Sequence, residues 1–544
     1  MTRSPGLAPP SLAHPRSAPD PKWRIRLYLA VTAISAACGL IVEIVAGRII
    51  APYLGMSLYT WTAIIAVVLA GFSVGNWIGG RLASQSPAQA ARATAISFAL
   101  AALTTLAILP LLRIFASTIV ALELPAVPTI LILTSALFFA PSVFVGIPSP
   151  ILTKLAVDED PSSLGPLIGQ FFAVGAVGSI VGTLAAGYLF ISWLGSTATL
   201  LTVTAIYAIL TIIMGLDARR RQQLLTDADP SAETTSRPTA EALTVLGAAF
   251  AVATLSLLAL GSQSDAFTSN CDTESDYYCI RIRDASATFG APSRILVLDH
   301  LGHGINLRDA PSMLVSPYLE LQDQLTRQAF STSQAMTAFF IGGGAYTLPR
   351  AWLARYPQAE ITVAEIDPAV SETAQKQMWL TPSDRLNMLH RDARQALRDH
   401  ANSNAKKLDV IVGDAFHDIA VPPHLVTREF YQLIRASLQP DGLYLMNVID
   451  NPDRPRLVAS VAKTLSQAFN NVEIWVSNET TKRATFVVRA SAKPSAKPLL
   501  QSNVQEGLAW QRLSATQVAQ GMAALNPVVL TDDHAPVDRL IGLE

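Results

Sequence analysis

The chain has 544 residues, of which 50% are hydrophobic and 15% are charged, and its formal net charge is -1. A mean hydropathy of +0.35 is too high for an ordinary soluble protein, so we expect a membrane portion. The near-zero net charge argues against a nucleic-acid partner, which would require a basic face. Apolar residues concentrate before about residue 260, whereas charged and turn-forming residues dominate after it, which predicts two physically different halves.

The N-terminal half is predicted to be a transmembrane helical domain, residues 25–262, that follows a disordered tail, residues 1–24. The tail is rich in proline and lacks the apolar run of a cleavable signal peptide. Seven later stretches approach or exceed the roughly 20 apolar residues that cross a bilayer. They lie near residues 27–47, 57–80, 92–112, 127–150, 166–190, 197–215 and 241–260. Glycines about four residues apart in "GAVGSIVGTLAAG" (175–187) favour close helix packing, so we expect a bundle.

Basic residues near the ends of the predicted spans set their orientation. These residues are Arg16, Lys22, Arg24, Arg26, Arg81, Arg92, Arg219, Arg220 and Arg221. They all lie on one side if every span crosses, so we expect that side, with the N-terminus, to be cytoplasmic. An odd number of spans then places the C-terminal half outside the cytoplasm.

Two features near the spans have open interpretations. Glu43 is an ionisable group inside the first span and therefore a functional candidate, but we favour a structural pair with Arg48 farther along the same helix. Cys271 and Cys279 follow the last span and either form a disulfide, which requires an oxidising compartment, or remain free thiols.

Strand-like runs begin at residue 277. "YYCIRIRD" and "RILVLDHLG" predict a small antiparallel sheet in a β-rich subdomain, residues 263–330. The later runs are "AFFIGGG", "ITVAEID", "LNMLHRD", "LDVIVGDA", "LYLMNVID", "VEIWVSN" and "TFVVRA". Helical segments separate the first five, which predicts a doubly wound, Rossmann-like α/β domain, residues 331–544, whose last two strands form an antiparallel pair.

Glycine or acid follows four consecutive strands, where ligands of such sheets bind. The residues are Gly342, Gly343, Gly344, Glu365, Asp367, Asp392 and Asp414. Each alone has a structural explanation, because glycine suits tight turns and acids cap helices. Glu365 lies 21 residues after Gly344, however, which is the spacing typical of a carboxylate that binds a ribose diol. The combination predicts a nucleoside-type ligand.

The loop "IGGGAYT" narrows the kind of nucleoside. A dinucleotide loop would have a third glycine where Thr347 stands, and the lysine of a triphosphate-binding loop is missing. A glycine-rich loop without these residues suits a ligand that has no pyrophosphate, which points to a sulfonium nucleoside.

These motifs resemble those of the spermidine synthase family. The chain from about residue 27 to 544 is similar to prokaryotic membrane proteins in which a multi-span region precedes a spermidine synthase-like domain. The matching segments are "LDHLGHGINLRD", "SPYLELQ", "IGGGAYT", "VAEID", "HRDAR", "VGDAFHDIAVPPHLVTREFYQLI" and "LTDDHAPVDRL". The resemblance implies S-adenosylmethionine or its decarboxylated form as the substrate, with no metal.

The resemblance also implies roles for individual residues. His303 stands where the family has a glutamine that contacts the ligand, Glu365 would bind the ribose, and Asp392 would hold the adenine amino group. The implied ligand-binding set is Asp299, His303, Tyr318, Gly342, Gly343, Gly344, Glu365, Asp367, Asp392 and Ala393, with Glu320 in the same motif as Tyr318. The implied catalytic set is Asp414, His417 and Asp418.

Two positions depart from the family pattern. Ala345 stands where the family has an aspartate that binds the amino group of the nucleoside's side chain. His417 stands where the acceptor segment has its second aspartate. Both differences weaken the case for a conventional diamine acceptor.

The leading hypothesis is a membrane-bound transferase that releases methylthioadenosine. A sulfonium is already activated, so the protein mainly aligns a nucleophile, and a carboxylate such as Asp414 would take the proton of an amine. Because of the two departures, a cyclising or lyase reaction and a methyl transfer stay open. A transporter or sensor is the alternative from another class, with Glu43, Asn76 and Gln170 along a path.

The expected partners are the lipid bilayer, a small nucleoside and a polyamine, with a homodimer as a further candidate. The resemblance implies a multi-pass protein of the prokaryotic inner membrane, and the charge pattern puts its nucleoside domain in the periplasm. Adenosylmethionine is made in the cytoplasm, so either one span is miscounted or re-entrant, or the bundle delivers the ligand.

Overall fold

The computed structural model describes residues 21–122, 124–228, 240–403, 405–417, 419–479, 481 and 483–542. The predicted tail, residues 1–24, lies outside this description except for residues 21–24, which begin the first helix. Asp418, one of the predicted catalytic residues, also lies outside the described residues.

The N-terminal half is a bundle of helices. They are α1 (Pro21–Leu54), α2 (Leu58–Leu82), α3 (Pro87–Ala121), α4 (Ala126–Gly146), α5 (Pro148–Glu159), α6 (Leu164–Ala185), α7 (Ile191–Ala228) and α8 (Ala240–Gln263), with a π-helical turn, Ala186–Phe190, between α6 and α7. Helix α1 packs on α6, α2 on α4, and α3 on α7. A Cβ atom at Gly182 would lie 2.3 Å from the carbonyl oxygen of Ala37, and one at Gly75 would lie 2.2 Å from that of Val143. Glycine therefore permits the close contacts of α1 with α6 and of α2 with α4.

Five stretches, not seven, are long and apolar enough to cross a membrane among the residues that the structure describes. They are Lys22–Leu54, Leu58–Leu82, Pro87–Ala121, Ala126–Glu159 and Pro161–Leu224. The last one contains two predicted spans, 166–190 and 197–215, and its backbone leaves the helical conformation between them at Gly195 (φ 76°, ψ 168°). The predicted seventh span, 241–260, overlaps α8, and within the residues whose side chains the structure describes this helix contributes the apolar stretch Gly247–Gln263. The sequence prediction counted apolar segments, whereas this count joins helices that continue through a bend.

The two ends of helix α1 have different surroundings. Near its start, Arg24 lies 3.3 Å from Glu159 of α5, within a group of buried charges. Near its end, the guanidinium of Arg48 donates hydrogen bonds to the carbonyl oxygens of Tyr277, at 2.7 Å, and Ser275. The expected Arg48–Glu43 pair is therefore wrong, since Arg48 binds backbone carbonyls of the C-terminal half. That half thus meets the bundle at the end opposite Arg24.

A small antiparallel sheet follows the bundle, as predicted. Its strands, in spatial order, are β1 (Thr273–Glu274), β2 (Cys279–Asp284), β3 (Ser293–Leu298) and β4 (Leu301–Leu307). The run "RILVLDHLG", predicted as one strand, is a hairpin that turns at Asp299, whose φ is 53°. Cys271 and Cys279 form a disulfide beside this sheet.

The large sheet is Rossmann-like. Its strands are β5 (Thr337–Ile341), β6 (Glu360–Glu365), β7 (Leu386–His390), β8 (Leu408–Gly413), β9 (Leu438–Asp450), β10 (Asn471–Ser477), β11 (Ala484–Ser491), β12 (Leu499–Gln501) and β13 (Ala509–Arg512), in the order β12-β13-β10-β11-β9-β8-β5-β6-β7. Strands β5 to β9 are parallel, and the antiparallel β10–β11 pair is confirmed. The short β12 and β13 were not predicted, because neither has a long apolar run.

The remaining helices cover this sheet and the hairpin. They are α9 (Ser286–Phe289), α10 (Pro317–Ala329), α11 (Thr347–Arg355), α12 (Pro368–Gln377), α13 (Ala393–Asn402), α14 (Arg428–Ser437), α15 (Arg456–Leu465), α16 (Ala515–Leu525) and α17 (Val537–Ile541). Strand β5 lies between β6 and β8 and is buried along its whole length. The order of strands reverses at β5, because β6 and β7 lie on one side of it and β8 and β9 on the other, so a crevice opens beyond its carboxyl end, where ligands of such sheets bind.

Candidate active site

The glycine loop after β5 folds over the end of β6. The backbone N–H groups of Gly343 and Gly344 donate to Oε2 of Glu365 at 2.8 and 3.3 Å. Gly342 and Gly344 have φ values of 93° and 49°, which favour glycine. A Cβ atom at Gly342 would also lie only 2.7 Å from the carbonyl oxygen of Asp414. Glycine therefore allows the ends of β5 and β8 to come together.

Glu365 is buried at the centre of this loop. Its Oε1 accepts a third hydrogen bond, from the N–H of Asp367 at 3.0 Å. Burial raises the pKa of Glu365, although these three N–H donors oppose the rise. A carboxylate has about four acceptor positions, so one remains for a ligand hydroxyl. The structure thus assigns Glu365 a loop-holding contact and leaves room for the predicted ribose contact.

Asp414 lies at the end of β8 between two neutral hydrogen-bond donors. The hydroxyl of Tyr318 donates to Oδ2 at 3.0 Å, and the amide of Asn447 donates to Oδ1 at 2.9 Å. Burial raises the pKa of Asp414 to about 6, against the lowering effect of both hydrogen bonds. The group is therefore mainly a carboxylate at neutral pH, oriented by partners that carry no charge.

Asn447 was missed by the sequence reasoning. It lies on β9, within the run "LYLMNVID", and is 4% exposed. A polar residue inside an otherwise apolar buried strand needs a hydrogen-bond partner, so this position was a usable signal.

A small cavity joins the glycine loop to Asp414. Its wall includes five predicted residues: His303, Tyr318, Gly342, Gly343 and Asp414. His303 reaches it from the β3–β4 hairpin, and burial lowers the pKa of this imidazole to about 4, with His300 as a second cause. His303 is therefore neutral at pH 7 and can either donate or accept a hydrogen bond.

Other predicted ligand-binding residues are not part of this cavity wall and have structural roles. Asp299 accepts a hydrogen bond from the N–H of Cys279 at 3.0 Å, across the hairpin turn. Asp367 caps α12 by accepting from the N–H of Ala369 at 2.9 Å. Burial raises the pKa of both carboxyl groups. Glu320 accepts from the backbone N–H of Asn503 at 2.7 Å.

The predicted adenine end of the site is at the start of α13. Asp392 caps this helix at the N–H of Gln395, 2.9 Å away, and lies 2.8 Å from Nε2 of His424. The next residue, Ala393, is buried. Arg394 forms two hydrogen bonds of 2.7 Å with Asp532 of the C-terminal motif. The C-terminal segment therefore supports the end of the site that carries Asp392.

The two departures from the family pattern lie outside the cavity wall. Ala345 is buried, its carbonyl oxygen accepts from the amide of Asn306 at 2.9 Å, and a Cβ atom at Gly304 would lie 2.6 Å from its own Cβ. The side chain of Ala345 therefore packs against Gly304 of the β3–β4 hairpin. His417 is exposed, and its N–H donates to the carbonyl of Ala420 at 2.8 Å in a tight turn.

Comparison with known proteins identifies the domain. Residues 327–497 match the spermine/spermidine synthase domain, a range that contains Glu365, Asp392, Asp414 and Asn447. The polyamine aminopropyltransferase of Vibrio vulnificus is 34% identical over 107 residues, which cover 20% of this chain and 36% of that protein. Polyamine aminopropyltransferase 2 of Streptomyces coelicolor is 25% identical over 467 residues, which cover 81% of this chain and 77% of that protein.

The match to the Streptomyces coelicolor protein is longer than the stretch from residue 263 to 544, so it extends into the helical half. The chain spans 36 to 49% of the length of three other curated relatives. Among solved structures, a probable spermidine synthase from Corynebacterium glutamicum aligns with a TM-score of 0.41 and 19% identity, covering 50% of this chain and 99% of that one. The chain therefore contains a spermine/spermidine synthase domain, residues 327–497, with long apolar helices ahead of it.

Proposed function

We propose that the protein transfers an alkyl group from a sulfonium nucleoside to an amine. The donor is decarboxylated S-adenosylmethionine or S-adenosylmethionine, and the other product is methylthioadenosine. The observation that carries the proposal is Asp414, a carboxylate that faces a cavity next to the glycine loop and whose hydrogen-bond partners among the described residues are neutral. Such a carboxylate attracts a protonated amine, because these partners do not neutralise its charge.

In the proposed reaction, the amine nitrogen attacks the carbon next to the sulfonium. The new C–N bond forms while the C–S bond breaks, and the sulfur keeps the electron pair and leaves as a neutral thioether. Before the attack, Asp414 accepts one proton from the bound ammonium group, which frees the nitrogen lone pair, and the alkylated amine keeps the remaining positive charge. Tyr318 and Asn447 hold the carboxylate so that one orientation faces the amine, and this alignment supplies most of the rate enhancement.

The test is product analysis with the purified full-length chain. Each nucleoside is incubated with and without a set of mono- and diamines, and products are identified by mass spectrometry. Methylthioadenosine that forms only when an amine is present, with a matching alkylated amine, supports the proposal. Release of adenosylhomocysteine would instead indicate methyl transfer, and uptake of ligand into vesicles without any product would favour a transporter.

A cyclising or lyase reaction is the second candidate. The buried Ala345 packs against the hairpin and supplies no carboxylate to hold the amino group of the nucleoside's side chain. That amino group or carboxylate is then free to act as the nucleophile within the same molecule. Methylthioadenosine released at an equal rate with and without amine would support this reaction.

We also propose that the helical half sits in a lipid bilayer, with the synthase domain on the periplasmic side of the inner membrane. The five long apolar stretches, the Cys271–Cys279 disulfide and the opposite placement of the two ends of α1 support this arrangement. A C-terminal reporter that is active in only one compartment tests it. Cytoplasmic reporter activity would overturn the orientation. The homodimer stays a prediction.

A further inference from the structure

The helical half holds the segment that leads into the synthase domain. We call this segment, residues 268–278, the junction strap. Arg113 donates hydrogen bonds to Thr268 and Asn270, and Arg48 donates to the carbonyl oxygens of Ser275 and Tyr277. Ser196 and Ser192 donate to the carboxylates of Glu274 and Asp276, respectively. The strap is therefore bound to three helices, α1, α3 and α7, before the chain enters β2.

The last turn of the strap contacts two sides of the active site. We call the end of β6, with Glu365, the Glu365 wall, and the end of β8, with Asp414, the Asp414 wall. The hydroxyl of Ser275 donates to Oδ2 of Asp367 at 2.5 Å, and the N–H of Asp367 in turn binds Glu365, which holds the glycine loop. The hydroxyl of Tyr278 donates to the carbonyl oxygen of Phe416 at 3.2 Å, two residues after Asp414 in the chain. One turn thus contacts the segment after β6 and the segment after β8.

Arg48 clamps this turn from helix α1. Its guanidinium binds the carbonyl oxygens of Ser275 and Tyr277, and its planar group of donors fixes both at once. Within the turn, the N–H of Ser275 donates to the carbonyl of Tyr278 at 3.0 Å, and the N–H of Tyr278 donates to Oγ of Ser275 at 2.9 Å. The orientation of both site-facing hydroxyls therefore depends on a turn that Arg48 holds in place.

The charge of Arg48 reaches the same region. Burial raises the pKa of Asp299 and of Asp367, and Arg48 is among the groups that oppose the rise in both cases. Removing Arg48 would therefore loosen the turn and also leave two buried carboxylates with less compensation.

We propose that Arg48 is a positioning residue for the synthase site, through which the membrane helix α1 sets the spacing between the Glu365 wall and the Asp414 wall. The identity of the ligand rests on the proposed function, whereas the coupling itself does not. The inference implies that the helical half, besides anchoring the domain, keeps its binding site assembled.

The first experiment needs no ligand. Hydrogen exchange is measured on the full-length protein in detergent for Arg48→Ala, Arg48→Lys and Arg113→Ala. Arg113 is a matched control, because it also donates two 2.9 Å hydrogen bonds to the strap but contacts residues 268 and 270, away from the turn. We expect exchange in peptides 365–369 and 414–417 to rise roughly tenfold in Arg48→Ala and to stay unchanged in Arg113→Ala. Lysine at position 48 should restore part of the protection, because its ammonium can still bind one carbonyl.

The second experiment measures binding of decarboxylated S-adenosylmethionine and steady-state kinetics of the same variants. We expect Arg48→Ala to raise Kd and KM roughly tenfold with a smaller change in kcat, because the turn sets the geometry of the Glu365 wall. Ser275→Ala, which removes one hydroxyl, should reproduce part of this effect even if Arg48→Ala folds poorly. Equal effects of Arg48→Ala and Arg113→Ala, or no effect of Arg48→Ala and Ser275→Ala, would overturn the inference. Absence of nucleoside binding by the unsubstituted protein would overturn the proposed function, and hydrogen exchange would still decide the coupling.

Discussion

Two groups of polar side chains in this molecule are removed from water in different ways. At the Arg24 end of the bundle, Asp217 accepts from Arg221 at 3.0 Å and from the hydroxyl of Tyr28 at 2.7 Å, and Glu159 accepts from Arg221 at 2.5 Å. Each carboxylate there faces a guanidinium. At the site, the described hydrogen-bond partners of Asp414 are the hydroxyl of Tyr318 and the amide of Asn447, and neither carries a charge.

The difference separates a structural role from a chemical one. In the bundle, the opposite charges neutralise one another and leave nothing to attract a ligand, so the cluster ties α1, α5 and α7 together. At the site, the described partners orient the negative charge of Asp414 without neutralising it, so in the proposed reaction it is available to a cationic amine. The following predictions test this contrast, from the largest expected effect to the smallest.

Replacing Asp414 with Asn should lower kcat by a factor of about 10² to 10⁴, because the amide cannot accept the amine's proton. The same substitution should raise the free energy of unfolding at neutral pH. Because burial raises the pKa of Asp414 to about 6, the fold favours the protonated carboxyl; this stabilisation is present below the unfolded pKa of 3.8 and is lost as pH rises through about 6. The uncharged asparagine avoids the cost of the buried charge, so the variant should gain at most about 3 kcal/mol at neutral pH, and less if water reaches the carboxylate. Methylthioadenosine release and thermal unfolding measure the two effects; unchanged turnover would contradict the role of Asp414.

Replacing Arg221 with Ala should have the opposite effects, a loss of stability without a loss of kcat. The change leaves Asp217 and Glu159 with too little positive charge, so we expect the free energy of unfolding to fall by about 3 to 5 kcal/mol. The kcat of the folded fraction should stay the same. The control is Lys154→Ala, which removes an exposed pair with Asp158 on α5 and should cost less than about 1 kcal/mol. Denaturant titration in detergent checks both, and similar losses in the two variants would contradict the comparison.

The pH dependence of kcat/KM should follow Asp414. Because burial raises its pKa to about 6, the active carboxylate is lost as pH falls below that value. Below pH 6, we expect kcat/KM to fall about tenfold for each pH unit. Above pH 7, Asp414 should be fully ionised and kcat/KM should not rise further because of it. A rate profile from pH 4.5 to 8 measures it, with protein stability followed in parallel. A level profile across pH 6 would show that another group takes the proton.

Replacing Tyr318 with Phe should have the smallest effect. The hydroxyl lowers the pKa of Asp414 by donating to it, so its removal should move the acidic limb upward by about one pH unit. The kcat at pH 8 should fall only several-fold, because the carboxylate and Asn447 remain. The pH profile of the variant provides the measurement, and a downward shift would contradict the assigned hydrogen bond.

Several elements of the fold could be predicted because they follow from local pattern. "AFFI" is a continuous apolar run and "LDVIVG" is apolar apart from Asp409, as expected of strands buried on both faces, and both are central strands of the sheet. The turn at Asp299 was missed because the residues on both sides of it are apolar enough to continue a strand. The structure groups the predicted spans into five long apolar stretches, because composition does not show whether two apolar segments share one long, bent helix.

The site was predictable to the extent that topology determines it. Parallel strands bring their carboxyl ends to one edge, so Gly342 and Asp414 had to be close once the strands were placed. Which atoms bind Glu365 could not be predicted, because a carboxylate accepts equally well from a backbone N–H or a ribose hydroxyl.

The sequence by itself determined the division into an apolar and a polar half, the strand–helix alternation, and the residues at the strand ends, because each depends on the spacing of side chains along the chain. Only the tertiary structure decided that Asn447 orients Asp414, that Ala345 packs against the hairpin, and that Arg48 holds the last turn of the junction strap. Arg48 and Tyr277 are 229 residues apart in the chain. No local pattern encodes such a contact, because it depends on how two separately formed halves dock.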